Sequence, residues 1–116
     1  MILINKHVGK YKIISLIGKG GQANVYLAQP LEPIAGLKQT PDHVALKILS
    51  VEHSNNPTLI QRFQNEVNAV SRLRHRHIIP IYEIGSATIE GISIYYYAMR
   101  YLEGCLLYTS PSPRDS

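Results

Sequence analysis

Two strand-like stretches meet at a run of glycines near the start of this chain, and that junction constrains the fold more than any other feature. Tyr11 to Ile17 (YKIISLI) is rich in β-branched and aromatic residues, and Asn24 to Ala28 (NVYLA) alternates polar and apolar. Gly18-Lys19-Gly20-Gly21-Gln22-Ala23 lies between them. Such segments favour strands, and a glycine-rich link lets the backbone reverse and lets another group approach it closely. The expected unit is a hairpin with a bare loop, which is either an ordinary glycine turn or a cradle for phosphate. Two other glycine-loop architectures are excluded. A dinucleotide fingerprint needs a helix after the loop, where this sequence places a strand. A P-loop needs Gly-Lys followed by Ser or Thr, whereas Gly18-Lys19 is followed by Gly20.

The remaining segments extend the sheet. Residues 30–41 contain Pro30, Pro33, Gly36 and Pro41 and read as a long loop. His43 to Leu49 is a third strand. Ser54-Asn55-Asn56-Pro57 is a helix-start signal, with cap candidates ahead of a proline at an early helical position. Ile60, Phe63, Val67 and Val70 then recur at spacings of three and four, giving one apolar face, and the helix should end near Leu73 to His75. Ile78 to Ile84 reads as a fourth strand, which Pro80 moves toward a sheet edge. Gly85 to Gly91 reads as a turn and Ile92 to Tyr101 as a fifth strand. The predicted fold class is α+β, a five-stranded antiparallel sheet with one main helix in the order β-β-β-α-β-β. The chain divides into a lead-in over 1–10, a folded unit over 11–104 and a tail over 105–116.

Composition narrows the function classes. The 116 residues are 45% hydrophobic and 17% charged, which is a globular and not a disordered balance. The net charge of +4 comes without a long basic run, so a solvated basic face is expected and no nucleic-acid partner. Met1-Ile2-Leu3-Ile4 is too short for a signal-peptide core, and no stretch approaches the roughly 18 apolar residues of a membrane helix. No membrane contact is expected within this segment, and a cytoplasmic location fits, with any membrane anchor of the parent lying downstream. Cys105 is the single cysteine, so an internal disulfide framework is impossible.

The chemistry-bearing residues are few. Lys47 stands in Val44-Ala45-Leu46-Lys47-Ile48-Leu49, where a cation must either snorkel from an edge strand or find a partner. Glu66 lies between Phe63 and Val67, close to the apolar stripe of the predicted helix. It can face inward toward a cation, or pair locally with Arg62 four residues earlier in the weaker orientation for such pairs. Arg72-Leu73-Arg74-His75-Arg76-His77 reads as a solvated loop without the further ligands a metal site requires.

Four motifs in order resemble the N-terminal lobe of protein kinases, most closely the serine/threonine kinases of bacterial type: the glycine loop, the V-A-x-K strand at Val44-Lys47, the helix carrying Glu66, and Met99-x-Tyr101-x-x-Gly104. The resemblance covers about residues 8–104. It implies that Gly18, Gly20 and Gly21, with Lys19 among them, form a flap over the phosphates of ATP. It implies that Lys47 holds the α- and β-phosphates and pairs with Glu66. It further implies that Ile17, Val25 and Ala45 line the adenine slot and that Met99 is the gatekeeper. The backbone carbonyl of Arg100 and the N–H of Leu102 are then the adenine hydrogen-bonding groups. Val70 and Ile81 fall where the family places two members of a stacked spine, though plain core packing accounts for both equally. Gln22 departs from the bulky apolar residue common at the loop tip, Ala23 from the third glycine, and Arg100 from the usual acidic hinge residue.

The implied parent activity is transfer of the ATP γ-phosphate to protein serine or threonine hydroxyls, with Mg as companion ion and protein substrates as partners. The alternative is a pseudokinase-like nucleotide-binding or scaffold module. The catalytic-loop Asp and Asn and the metal-binding Asp of D-F-G are not in this sequence, so the Mg ligands are expected in a lobe outside it. Pro113-Arg114-Asp115 is only superficially like H-R-D, and the whole of 105–116 resembles translated sequencing adapter, the alternative being a genuine Ser/Pro-rich linker. The chain by itself is therefore expected to be inactive.

Overall fold

A computed structural model describes residues 2–73 and 81–101. It contains seven elements of regular sheet and helix: β1 His7–Val8, β2 Tyr11–Lys19, β3 Ala23–Pro30, β4 Val44–Leu49, α1 Pro57–Leu73, β5 Ile81–Ile89 and β6 Ile92–Arg100. A single 3-10 turn, Val51–His53, joins β4 to α1. The strands form one antiparallel sheet in the order β1-β2-β3-β4-β6-β5.

The sheet-plus-one-helix architecture is the expected one, with two differences. The lead-in contributes a sixth strand, because His7 and Val8 pair with Lys12 and Tyr11 across a short turn. Two residues are too few to show alternation, so nothing in the sequence marks them as a strand. The glycine-bounded stretch 85–91 is not a turn, since β5 continues to Ile89. The reversal is confined to Glu90 and Gly91, both with positive φ (52° and 81°), the backbone of a tight two-residue hairpin. Gly85 instead sits inside β5 opposite Tyr96. A Cβ there would come within 2.7 Å of the Tyr96 hydroxyl, so the glycine makes room for the ring of its own sheet partner. The predicted start of this strand at Ile78 lies outside the described residues.

Alternation along the central strands sorts the core into two layers. Val44, Leu46 and Ile48 of β4 and Ile94, Tyr96 and Ala98 of β6 face one side, packing with Val8, Tyr11, Ile13 and Ala28. Leu3 and Ile34, from segments outside the strands, close that layer. Ile34 belongs to the long loop yet is only 2% exposed, so the loop is pinned to the sheet and does not hang free. At the layer's end, Tyr11 donates a hydrogen bond to Glu83, and Lys10 pairs with the same carboxylate at 3.4 Å. Burial, and then the adjoining carboxylate, raise the Tyr11 phenol above its ordinary range.

The opposite face carries Val25, Ala45, Leu49, Tyr97 and Met99, covered by Phe63 of α1. The helix starts where its signal predicts. The Asn56 side-chain oxygen accepts from the backbone N–H groups of Thr58 and Leu59 at 3.0 and 3.3 Å, and Pro57 is the first helical residue.

Candidate nucleotide site

The second face is where the singled-out residues gather, and strand register is what gathers them. Val25, Lys47 and Tyr97 are direct neighbours on one rung across β3, β4 and β6. Two rungs on, Ala45 lies between Leu27 and Met99, and Met99 pairs onward with Ile81. Period-2 alternation therefore delivers Ala45, Lys47, Met99 and Val25 to the same side. Ile17 from β2, with Ile81 and Tyr101, packs against this cluster.

The glycine loop closes the open end of the β2–β3 hairpin. Gly18 pairs with Val25 and Lys19 with Asn24, and a register shift between Leu16 and Gly18 bends the strand there. Gly18 is buried, whereas Lys19, Gly20, Gly21 and Gln22 are exposed. The Gly20 N–H donates to the Asn24 side-chain oxygen at 3.4 Å, a brace across the loop that the sequence reading did not anticipate. A Cβ added at Gly21 would meet no atom within 4 Å, and its φ is not positive, so nothing in the fold itself requires glycine there.

Lys47 takes the paired option. Its Nζ lies 2.7 Å from Glu66 Oε1, and Glu66 is joined to β4 and not to Arg62. Neither side chain is deeply buried, at 26% and 46% exposed. The same oxygen, Oε1, accepts a second hydrogen bond of 2.7 Å from the Tyr97 hydroxyl. Partial burial works against the charged Glu66 carboxylate, but the hydrogen bonds from Lys47 and Tyr97, helped by the lysine charge, outweigh it. The carboxyl is held below the ordinary carboxylate range. Burial foremost, then the Glu66 bond, push the Tyr97 phenol up, so it stays a donor at neutral pH.

Tyr97 is the site residue that sequence reasoning missed. Its ring meets Phe63 at 5.3 Å between centroids, and Lys47 Nζ stands 5.8 Å from the ring centre. The signal lay in register, since Tyr97 is two residues before Met99 and must share its face. Arg100 closes β6 opposite Val44. Leu102 and the segment 74–80 lie outside the described residues, as does the Val70 side chain. Among the described residues no cluster of three or more His, Cys, Asp or Glu side chains could hold a metal ion. No helix there is long and apolar enough to cross a membrane.

Comparison with known proteins gives this arrangement a lineage. No protein-family model matches the chain. The serine/threonine-protein kinase PrkC of Bacillus subtilis is 39% identical over 107 residues, which is 91% of this chain and 15% of the relative. The serine/threonine-protein kinase PknD of Chlamydia muridarum is 40% identical over 95 residues, 82% of this chain and 9% of that protein. Among solved structures, a variant of the Mycobacterium tuberculosis PknI kinase domain superposes with a TM-score of 0.60 at 26% identity, covering 90% of this chain and 38% of that one. The chain thus spans a small fraction of the kinases it matches. Over most of its length the chain is homologous to bacterial serine/threonine protein kinases, matching only a small region of each, the N-lobe.

Proposed function

We propose that this chain is the ATP-binding N-lobe portion of a serine/threonine protein kinase whose parent transfers the ATP γ-phosphate to protein hydroxyls. The observation that carries the reading is the 2.7 Å Lys47–Glu66 bond on the face bounded by the glycine loop. An ammonium group on a strand, steadied by a carboxylate from a separate helix, suits a polyphosphate that needs one fixed cation near its α- and β-groups. The chain's residues fit the ligand. The exposed tip, bare of side chains at Gly20 and Gly21, lets phosphate approach the backbone closely, and the space at Gly21 is open for it. Val25, Ala45 and Met99 offer an apolar wall for a planar base, with Ile17 at its margin.

In this reading Lys47 orients the phosphates, Glu66 orients Lys47, and the backbone of Arg100 and Leu102 positions adenine. When bound, Mg supplies the charge neutralisation that phosphoryl transfer requires, through ligands outside this chain. The protein substrate, too, is engaged by the rest of the parent. The chain alone should bind nucleotide and transfer no phosphate.

Titration calorimetry with ADP tests this. Wild-type chain is expected to bind, and Lys47→Met to bind at least roughly tenfold more weakly, the loss of about one charge-assisted contact. Equal affinity in the two proteins would remove Lys47 from the site and the reading with it.

A further inference from the structure

Glu66 has two donors, and the second does not belong to the lysine pair. Tyr97 occupies the rung of Val25 and Lys47. It is 5% exposed, and its side chain is committed at two points: the ring lies against Phe63 and the hydroxyl bonds Glu66 Oε1. Phe63 and Glu66 are one helical turn apart, and Phe63 is the one buried residue among the described side chains of α1. Beside the Lys47–Glu66 bond, an apolar and a polar attachment of this helix to the sheet therefore end on the same tyrosine.

We propose that Tyr97 is a positioning residue for the Lys47–Glu66 pair, latching α1 to the sheet so that the Glu66 carboxylate faces Lys47 before any nucleotide arrives. The proposal rests on the nucleotide-site reading above, but its structural half stands apart from it. An ion pair as exposed as this one is weak alone and is screened by salt. A buried phenol is neutral, and its bond to carboxylate is charge-assisted without needing a second ion. When Lys47 is drawn toward phosphate, Tyr97 still holds the carboxylate in place. A ring without the hydroxyl would keep the contact with Phe63 and lose only the latch.

The test uses the full chain, wild type and Tyr97→Phe, with two readouts. The first is the Glu66 carboxyl titration followed by carbon NMR. Tyr97→Phe is expected to move it upward by roughly one pH unit, the effect of one lost hydrogen bond to the charged form. The second is ADP affinity at low and high salt. The variant is expected to bind roughly three- to tenfold more weakly, as the engaged helix becomes a smaller fraction of the population. The deficit should grow with salt, once only the ion pair holds Glu66. An unchanged Glu66 titration in Tyr97→Phe overturns the proposal whatever ADP does. A shifted titration in a chain that binds no ADP supports the latch and removes the nucleotide reading. Should the variant fail to fold, the wild-type chain still decides. A slowly exchanging Tyr97 hydroxyl proton close to the Glu66 side-chain protons supports the latch, and its absence overturns it.

Discussion

Lys47 and Glu66 are 19 residues apart, on a strand and a helix, yet their charged atoms meet at 2.7 Å. Local geometry alone would have offered Glu66 a partner on its own helix. What brings Lys47 instead is the period-2 alternation of β4, which turns residue 47 to the face that α1 covers, together with the Phe63 anchor that sets the height of the helix.

This pair gives stability a defined pH dependence. The Glu66 carboxyl is depressed in the folded chain relative to its ordinary value of 4.5. A depressed acid contributes stability that is fully present above its unfolded value and is lost as pH falls through the folded one. The wild type's resistance to denaturant should therefore weaken on acidification below about pH 4.5, and Glu66→Gln should lack that part of the loss. Because the side chain is nearly half exposed, the difference between the two should be about 1 kcal/mol or less.

Gly85 should resist substitution. An alanine there puts Cβ at 2.7 Å from the Tyr96 hydroxyl and 2.9 Å from the ring carbon bearing it. Gly85→Ala is expected to destabilise the fold by about 1–3 kcal/mol in equilibrium unfolding, the usual cost of overpacking. Tyr96→Phe in the same chain should restore only part of this, since the ring carbon remains in the way.

Much of this architecture was legible in the sequence, and the exceptions have physical reasons. Asn56-Pro57 marks a helix start because a side-chain acceptor and a preset φ do the same thing in any fold. The β2–β3 hairpin declared itself by a β-branched stretch and an alternating one on either side of the glycines, and the Lys47 strand by its apolar run. Gly85 misled because glycine is a turn residue by propensity, and only the position of the Tyr96 ring, a tertiary fact, makes it a strand residue. Tyr97 was hidden in the run Tyr95-Tyr96-Tyr97, where composition is uniform and only the register against Met99 says which ring faces the site.

The helix cap offers a separable test of local design. Asn56→Ala removes the acceptor for two backbone N–H groups and should destabilise the chain by about 0.5–2 kcal/mol in denaturant unfolding. Asn56→Ser or Asn56→Asp should recover most of that difference.

Ile34 distinguishes a pinned loop from a merely long one. At 2% exposed it lies among core residues although it belongs to no strand. Ile34→Ala should cost about 2–5 kcal/mol, a core-sized loss. A change within about 0.5 kcal/mol, typical of surface positions, would mean that the loop does not dock.

Nucleotide binding on the Lys47 face is tested most directly by a map of amide shifts in the full chain as ADP is added. The largest changes are expected on Gly18, Gly20, Gly21, Val25, Ala45, Lys47 and Met99, with the far layer around Ile13, Leu46 and Ile94 nearly still. Saturable shifts confined to that far layer, or none at all at millimolar ADP, would contradict it.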